Sequence, residues 1–303
     1  MARINRTSGV FVLAVLLMGG CKVNVAVDQQ PYTPKLAVEG LIEPGSAPRV
    51  YLTTTVPFFT PTQTPSSLFV PDASVSILGP DSLDDLVVDS TWSDFWCRWE
   101  PFYQGAITVR ENADYRLNIS HRGEAFTATA RTDLPAVRID TVSYVATFVD
   151  IYGGHEGVVV DFMDTPGRPD QYRFEMVRTL DDRHTTVDDR EYASTCISEG
   201  QQIRQSDVGR FVYFDDRLDG APVRFVIEPA HINFKGDEAT VYIQSLDANV
   251  ADYYDRLDRQ REANVNPFIE PVFLDSQIPG MIGVFGAIRR SPAVHFIFPE
   301  DSA

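Results

Sequence analysis

Apolar residues recur at every second position through most of this chain, and a period of two admits few architectures other than sheets with one buried face. Leu36 and Val38 stand opposite Glu39; Val50, Leu52 and Thr54 oppose Arg49, Tyr51 and Thr53; Ala73, Val75 and Ile77 oppose Ser74 and Ser76. Tyr115, Leu117 and Ile119 alternate with Arg116, Asn118 and Ser120 before a turn at His121-Arg122-Gly123-Glu124 and a return through Phe126, Ala128 and Ala130. Short strands joined by turns over about 100 residues fit an immunoglobulin-like or transthyretin-like sandwich. That domain is expected over residues 35–135, closed by Pro135.

A second run of alternation starts at Arg138 and passes through Val158, Val160 and Phe162, then Tyr172, Phe174 and Met176, then Val223, Phe225 and Ile227, ending at Val294 to Phe298. It predicts a second, larger β-sandwich over 136–298, with 299–303 as a short acidic tail. One helix interrupts it. Leu246, Val250, Tyr253, Tyr254 and Leu257 recur at helical spacing while Asp247, Asp252, Asp255, Asp258 and Arg259 take the other faces, so a side helix is expected over 247–263. Gly280, Gly283 and Gly286 follow at intervals of three, the wrong spacing for a dinucleotide turn, and mark bends where backbone passes close to backbone. The expected fold class is therefore mainly β: two β-sandwich domains, the second larger and carrying one helix.

The first residues are of a different kind. Arg3 and Arg6, an apolar core from Val10 to Leu17 and small residues before a cysteine form the three parts of a secretion signal. The apolar core is too short for a membrane span. Met18-Gly19-Gly20-Cys21 resembles a bacterial lipobox, which predicts a signal peptide over 1–20, lipidation of Cys21 and a tether over 21–34. Acyl chains there hold a protein to a bilayer at about 0.8 kcal/mol per buried methylene.

The net charge of −17 at pH 7 disfavours nucleic acid, which needs a basic face. Lysine occurs only at 22, 35 and 235, and aspartate is far commoner than glutamate. A high-salt habitat and a GC-rich genome account for that bias equally well. Once Cys21 is lipidated, Cys97 and Cys196 remain, and two leftover cysteines in an exported protein are expected to pair.

Two stretches are candidates for ligand or partner contact. Val56 to Pro71 holds four prolines with Phe58 and Phe59, and is read either as a partner-docking loop or, preferably, as a loop folded back over the sandwich edge. Trp92, Trp96 and Trp99 are the chain's only tryptophans, crowded with Phe95, Phe102 and Tyr103. They are read as a stacking platform for a sugar or peptide or, preferably, as a plug between domains. No Gly-x-Ser-x-Gly, His-Glu-x-x-His or Gly-x-x-x-x-Gly-Lys occurs, and the histidines at 121, 155, 184, 231 and 295 are scattered singly. Asp215-Asp216-Arg217-Leu218-Asp219-Gly220 hints at a calcium loop, but Arg217 and Val226 occupy ligand positions and the EF-hand reading fails. Asp181, Asp182, Asp188 and Asp189 around His184 are read as a cation site or, preferably, as a solvated hairpin tip. No catalytic residue, metal or cofactor is expected.

Lys35-Leu-Ala-Val-Glu-Gly-Leu-Ile42, Tyr115-Arg-Leu-Asn-Ile119 with Gly123 and Phe126-Thr-Ala128, Phe214-Asp215 with Gly220, and above all Asn266-Pro-Phe-Ile-Glu-Pro-Val272 with Ile278-Pro-Gly280 and Gly283-Val-Phe-Gly-Ala287 resemble the lipoproteins grouped as domain of unknown function 4249. The likeness covers nearly the whole mature chain; Gln277-Ile278-Pro279 and the tryptophan insertion depart from it. It implies an outer-membrane lipoprotein of the Bacteroidota type, on the periplasmic or the cell-surface face, often encoded beside a TonB-dependent transporter. The expected function is thus a non-enzymatic accessory or binding partner of such a transporter, with a stand-alone carbohydrate- or peptide-binding lipoprotein as the alternative. The family carries no established catalytic residues to transfer.

Overall fold

The computed structural model describes residues 32–302 apart from 58–59, 62, 94–96, 151–152, 182, 185–200, 210, 216–218, 266–273 and 275–276. The signal, most of the tether, Phe58, Phe59, Trp96, Cys196 and the Asn266–Val272 motif lie outside the described residues. In chain order the first elements are β1 (Leu36–Ile42), β2 (Arg49–Thr54), the one-turn helix α1 (Pro65–Leu68), β3 (Ser74–Leu78), β4 (Leu83–Asp85), β5 (Val87–Ser93), β6 (Arg98–Gln104), β7 (Asp114–His121) and β8 (Glu124–Arg131). Then come β9 (Ile139–Asp150), β10 (Gly153–Met163), β11 (Gln171–Leu180), β12 (Ile203–Val208), β13 (Tyr213–Phe214), β14 (Pro222–Ile227) and β15 (Glu238–Leu246). The helix α2 (Ala248–Val265), β16 (Ile282–Arg290) and β17 (Val294–Ile297) complete the set. The fold is mainly β, as expected, and α2 begins one residue later and ends two residues later than its sequence pattern implied.

Residues 34–303 form one compact unit, and one sheet explains why. Its strands run β12-β11-β15-β16-β1-β2-β6-β5, with β13 also on β11 and β17 also on β15. Smaller sheets, β4-β3-β7-β8 and β14-β10-β9, complete the architecture. One core gathers Val38, Val50, Leu52, Ile77, Leu117 and Phe126, and a second gathers Val158, Val160, Phe162, Met176, Val241 and Phe298. These cores fall on either side of Pro135, where two domains were expected, but the first also takes Ile278, Met281, Phe285 and Ala287 from the far end of the chain. The expected boundary separates the cores without separating the sheet.

β16 makes the join. It lies antiparallel to β15 through Gln244↔Arg290 and Leu246↔Ile288, and parallel to β1 from Ala37↔Ile282 to Ile42↔Ala287. Phe285 and Ala287 face the first core while Val284 and Ile288 face α2, where Leu246, Val250 and Ala251 meet them. A strand buried on both faces has no polar side to present, and the run Val284-Phe285-Gly286-Ala287-Ile288 has none.

The glycine spacing follows from two close approaches. Gly283 has φ +122°, and a Cβ there would lie 1.8 Å from the Val38 carbonyl oxygen of the neighbouring strand. A Cβ on Gly286 would lie 2.3 Å from Val250 Cγ2 and 2.7 Å from Asp247 Oδ1. The space left at Gly286 admits Asp247, the residue that caps α2: its Oδ1 accepts from the N–H of Val250 at 2.8 Å and its Oδ2 from the N–H of Ala287 at 2.6 Å. One carboxylate thus fastens the helix start to β16. Along the exposed side of α2, Asp252–Arg256 and Asp255–Arg259 pair at one-turn spacing, in the favourable order of acid before base.

Two outcomes are expected. Gly283→Ala places a methyl inside the Val38 carbonyl, so it should destabilise by about 4 kcal/mol or more, or abolish folding, in chemical denaturation. A variant within about 1 kcal/mol of the parent would contradict the close approach. Burial pushes the Asp247 carboxyl up to about 6, against the opposing hydrogen bonds of Val250, Ala287 and Asn249. Because the folded chain keeps a proton that the unfolded chain has released, this residue's contribution declines as pH rises from about 4 to 6 and is level above that, a change of up to roughly 3 kcal/mol. Asp247→Asn should lack that component, so the stability gap between parent and variant must move by this amount between pH 4 and pH 7.

Candidate functional site

β2 pairs with β6 only at Arg49↔Gln104 and Val50↔Tyr103, after which β5 and β6 continue as a two-stranded ribbon through Ser90↔Pro101 and Thr91↔Glu100 to Ser93↔Arg98. Trp92 and Trp99 are directly opposite one another on that ribbon, ring centroids 5.5 Å apart and planes at 70°. They are 42% and 55% exposed, which overturns the plug reading for both: the ribbon runs on past the sheet, and among the described residues the two rings meet each other edge to face. Nor are they coplanar, as a flat stacking platform needs. Val87 and Val88, earlier on the same edge strand, are exposed as well.

The space beside β2 that β6 leaves is taken by the proline-rich insertion. Phe69 bridges to Thr53, the N–H of Val70 donates to the Leu52 carbonyl at 3.1 Å, and the Phe69 ring lies 5.4 Å from Tyr103. The Tyr103 hydroxyl donates to the Val70 carbonyl at 2.6 Å, and Ser66 Oγ donates to the Trp99 carbonyl at 2.7 Å. For its described residues, then, the insertion is folded back over the sheet edge. Cys97, with φ 53° at the ribbon's tip, is disulfide-bonded.

On the outer face of the large sheet the strand order assembles a polar row that local sequence does not announce. Arg290 on β16 is ion-paired to both Glu43 and Glu175. Glu175 on β11 also accepts from Ser206 Oγ at 2.9 Å and Gln244 Nε2 at 2.5 Å. Burial alone would raise its carboxyl, but the bonds from Arg290, Gln244 and Ser206 outweigh burial and leave it below the usual range. Next along β11, Arg173 donates from Nε to Gln244 Oε1 at 2.7 Å and stacks on the Tyr254 ring of α2 at 4.3 Å. Tyr254 in turn hydrogen-bonds Glu39 on β1, whose carboxyl burial holds above its ordinary value.

Beside this row lies a groove of about 490 Å³, floored by Leu41 and Ile288 and edged by Glu39, Glu43, Arg49 and Tyr51. Arg49 is exposed, its guanidinium stacked 4.6 Å from the Phe102 ring and its Nε donating to Gln104 Oε1 at 3.0 Å. Period-two alternation already turned Glu39, Arg49 and Tyr51 away from the core. What it could not supply was the crossover of β16 that brings Arg290 and Ile288 beside them.

Two further clusters concern residues weighed from the sequence. Asp164 joins Asp215 and Asp219 of the calcium-like loop, their carboxylate oxygens within 4.8 Å of one another. Asp164 accepts from the Tyr172 hydroxyl at 2.7 Å and the N–H of Gly220 at 2.8 Å, and Asp219 accepts from the N–H of Gly167 at 2.5 Å, so these acids staple two turns together. His184 is not at a solvated tip: it is 2% exposed, with Nδ1 2.8 Å from Asp181 and Nε2 2.8 Å from Asp237. Nor is the C-terminus free, since Ser302 bonds Asn233 and Glu156 while Asp301 accepts from the N–H of Lys235.

The described residues thus form a mainly β unit with an exposed aromatic ribbon and an open polar groove. Residues 22–291 match the family described as Domain of unknown function (DUF4249), and the chain belongs to it. No curated protein and no solved structure matches the chain. No helix among the described residues is long and apolar enough to cross a membrane.

The disulfide at Cys97 generates a direct check. Of the remaining cysteines, Cys21 and Cys196, the latter is the expected partner. Denatured, unreduced protein treated with a thiol reagent should leave Cys97 and Cys196 unlabelled and release a linked 97/196 peptide pair on digestion. Labelling at both positions would contradict the pairing.

Proposed function

We propose that this protein is an outer-membrane lipoprotein, acylated at Cys21, that acts without catalysis as an accessory or binding partner of a TonB-dependent transporter. Three features support the reading. The lipobox-like Met18-Gly19-Gly20-Cys21 precedes a stretch that extends to at most about 40 Å, and the compact unit begins directly after it, at Pro34. Family membership covers the folded part. The observation that carries the contact role is the β5–β6 ribbon, an edge strand with Val87, Val88 and Trp92 exposed and Trp99 beside them.

Edge strands of soluble proteins are usually blunted by charge, proline or cover, because their unpaired backbone groups recruit further strands. β5 has one acid, Asp89, among seven residues and no basic residue or proline. An apolar edge of this kind suits a strand-rich partner through backbone pairing supplemented by aromatic contacts. The alternative, a carbohydrate- or peptide-binding lipoprotein working alone, draws on the same two exposed tryptophans, but their edge-to-face arrangement offers a sugar ring no flat stack.

Affinity purification from native outer membranes tests the proposal. The parent chain should bring down a transporter barrel, and Trp92→Ala with Trp99→Ala should cut that recovery about tenfold or more at unchanged melting temperature. Cys21→Ser should release the protein into the soluble periplasmic fraction. A parent chain recovered without any barrel, or with unacylated Cys21, would contradict the account.

A further inference from the structure

The groove on the outer face holds two opposite charges that do not pair with each other. Arg49 stands opposite Leu41 and Tyr51 opposite Glu39 in the β1–β2 register, so Arg49 and Glu39 are diagonal neighbours on one face. Such neighbours are close enough for long side chains to meet, at about 7 Å between backbones. They do not meet. Among the described residues Arg49 bonds neutral groups, through its Nε to Gln104 and through a side-chain bond to Tyr51, while stacked on Phe102. Glu39 is bonded to the Tyr254 hydroxyl and is solvent-accessible although protein crowds it on nearly every side, as at the foot of a groove.

The hydrogen bonds that hold each charge come from uncharged groups, Gln104 and Tyr51 for Arg49 and Tyr254 for Glu39, while Arg173 and Arg261 act on Glu39 through their fields. A guanidinium stacked on a ring, with one edge tied to an amide, has its remaining N–H groups fixed in a fork that matches a carboxylate. Opposite it, Glu39 gives the groove an acidic wall, with Glu43 beside it already ion-paired to Arg290, and Leu41 with Ile288 forms an apolar floor. An excess of acids over bases across the chain makes a groove with an arginine left to an outside carboxylate a local departure.

We propose that this groove binds a small zwitterion of the amino-acid or dipeptide class, its carboxylate on Arg49 and the Tyr51 hydroxyl, its ammonium towards Glu39, and its apolar part over Leu41 and Ile288. Preorganised charges lose little freedom on binding, and hydrogen bonds to charged groups discriminate strongly against ligands that lack them. The inference goes beyond the transporter-accessory reading and does not rest on it: the groove shares Gln104 with the base of β6, but neither Trp92 nor Trp99 lines it.

The test is calorimetric titration of the detergent-solubilised full chain with leucyl-leucine, its C-terminal amide and its N-acetyl form. Leucyl-leucine should bind at millimolar or tighter affinity, and each capped form should bind about tenfold or more weakly, because each leaves a fixed charge unmatched. Arg49→Met and Glu39→Gln should weaken the parent dipeptide by a similar factor, with circular dichroism confirming the fold. The capped ligands probe unaltered protein, so the result stands even if a variant fails to fold. No binding of leucyl-leucine at millimolar concentration, or equal affinity for all three ligands, would overturn the inference. Loss of transporter co-purification alone would leave it intact.

Discussion

The carbonyl of Val38 approaches position 283 more closely than any side chain would permit, and the parallel pairing of β1 with β16 depends on the glycine there. Two stretches about as far apart in sequence as the folded unit allows become neighbours in one sheet. Closing so long a loop has an entropic cost that grows only slowly with length, about 0.6 kcal/mol per doubling, so a strand buried on both faces can offset it. Phe285 and Ala287 complete the first core on one side while Val284 and Ile288 seat the helix on the other. Without β16 the first core loses part of its filling and α2 loses its seat.

The polar outer face is a consequence of the same crossover. Arg290 reaches Glu43 and Glu175 only because β16 lies between β15 and β1. Gln244 and Arg173 extend the row across β15 and β11 to Tyr254 on the helix, and Tyr254 reaches back to Glu39. Buried charges of this kind are costly to desolvate and add little net stability. Their structural effect is to fix side chains around an open groove. The ribbon at the opposite end of the strand order has a different origin, in β6 parting from β2 so that the proline-rich insertion can fill the vacated edge.

Much of this was legible in the sequence, and most of what was not has one cause. Strict alternation at Val50-Leu52 or Tyr115-Leu117-Ile119 marks strands because adjacent side chains must point to opposite faces. Helical spacing from Leu246 to Leu257 marked α2, and three-residue glycine spacing marked a close backbone approach at 283, whereas at 286 the close neighbours are the Val250 and Asp247 side chains. Sequence order placed a division at Pro135 that the two cores follow, but alternation carries no record of which strand lies next to which, and so none of the sheet that spans both. The same blindness hid the groove, whose residues come from β1, β2 and β16, and the clasp of His184 by Asp181 and Asp237, more than fifty residues apart in the chain. The tryptophans misled for another reason. Density of aromatic residues is evidence of burial on average, but a ribbon that outruns its sheet leaves Trp92 and Trp99 exposed.

The account stands on β16 making two cores into one cooperative unit, and native-state hydrogen exchange followed by mass spectrometry measures that most directly. Amides of 36–42 and 282–290 should be among the slowest, and should open together with those of β7 in the first core and β10 in the second. If the segments up to Pro135 and those after it opened in separate steps, with β16 exchanging ahead of either core, the shared sheet would not be what holds this protein together.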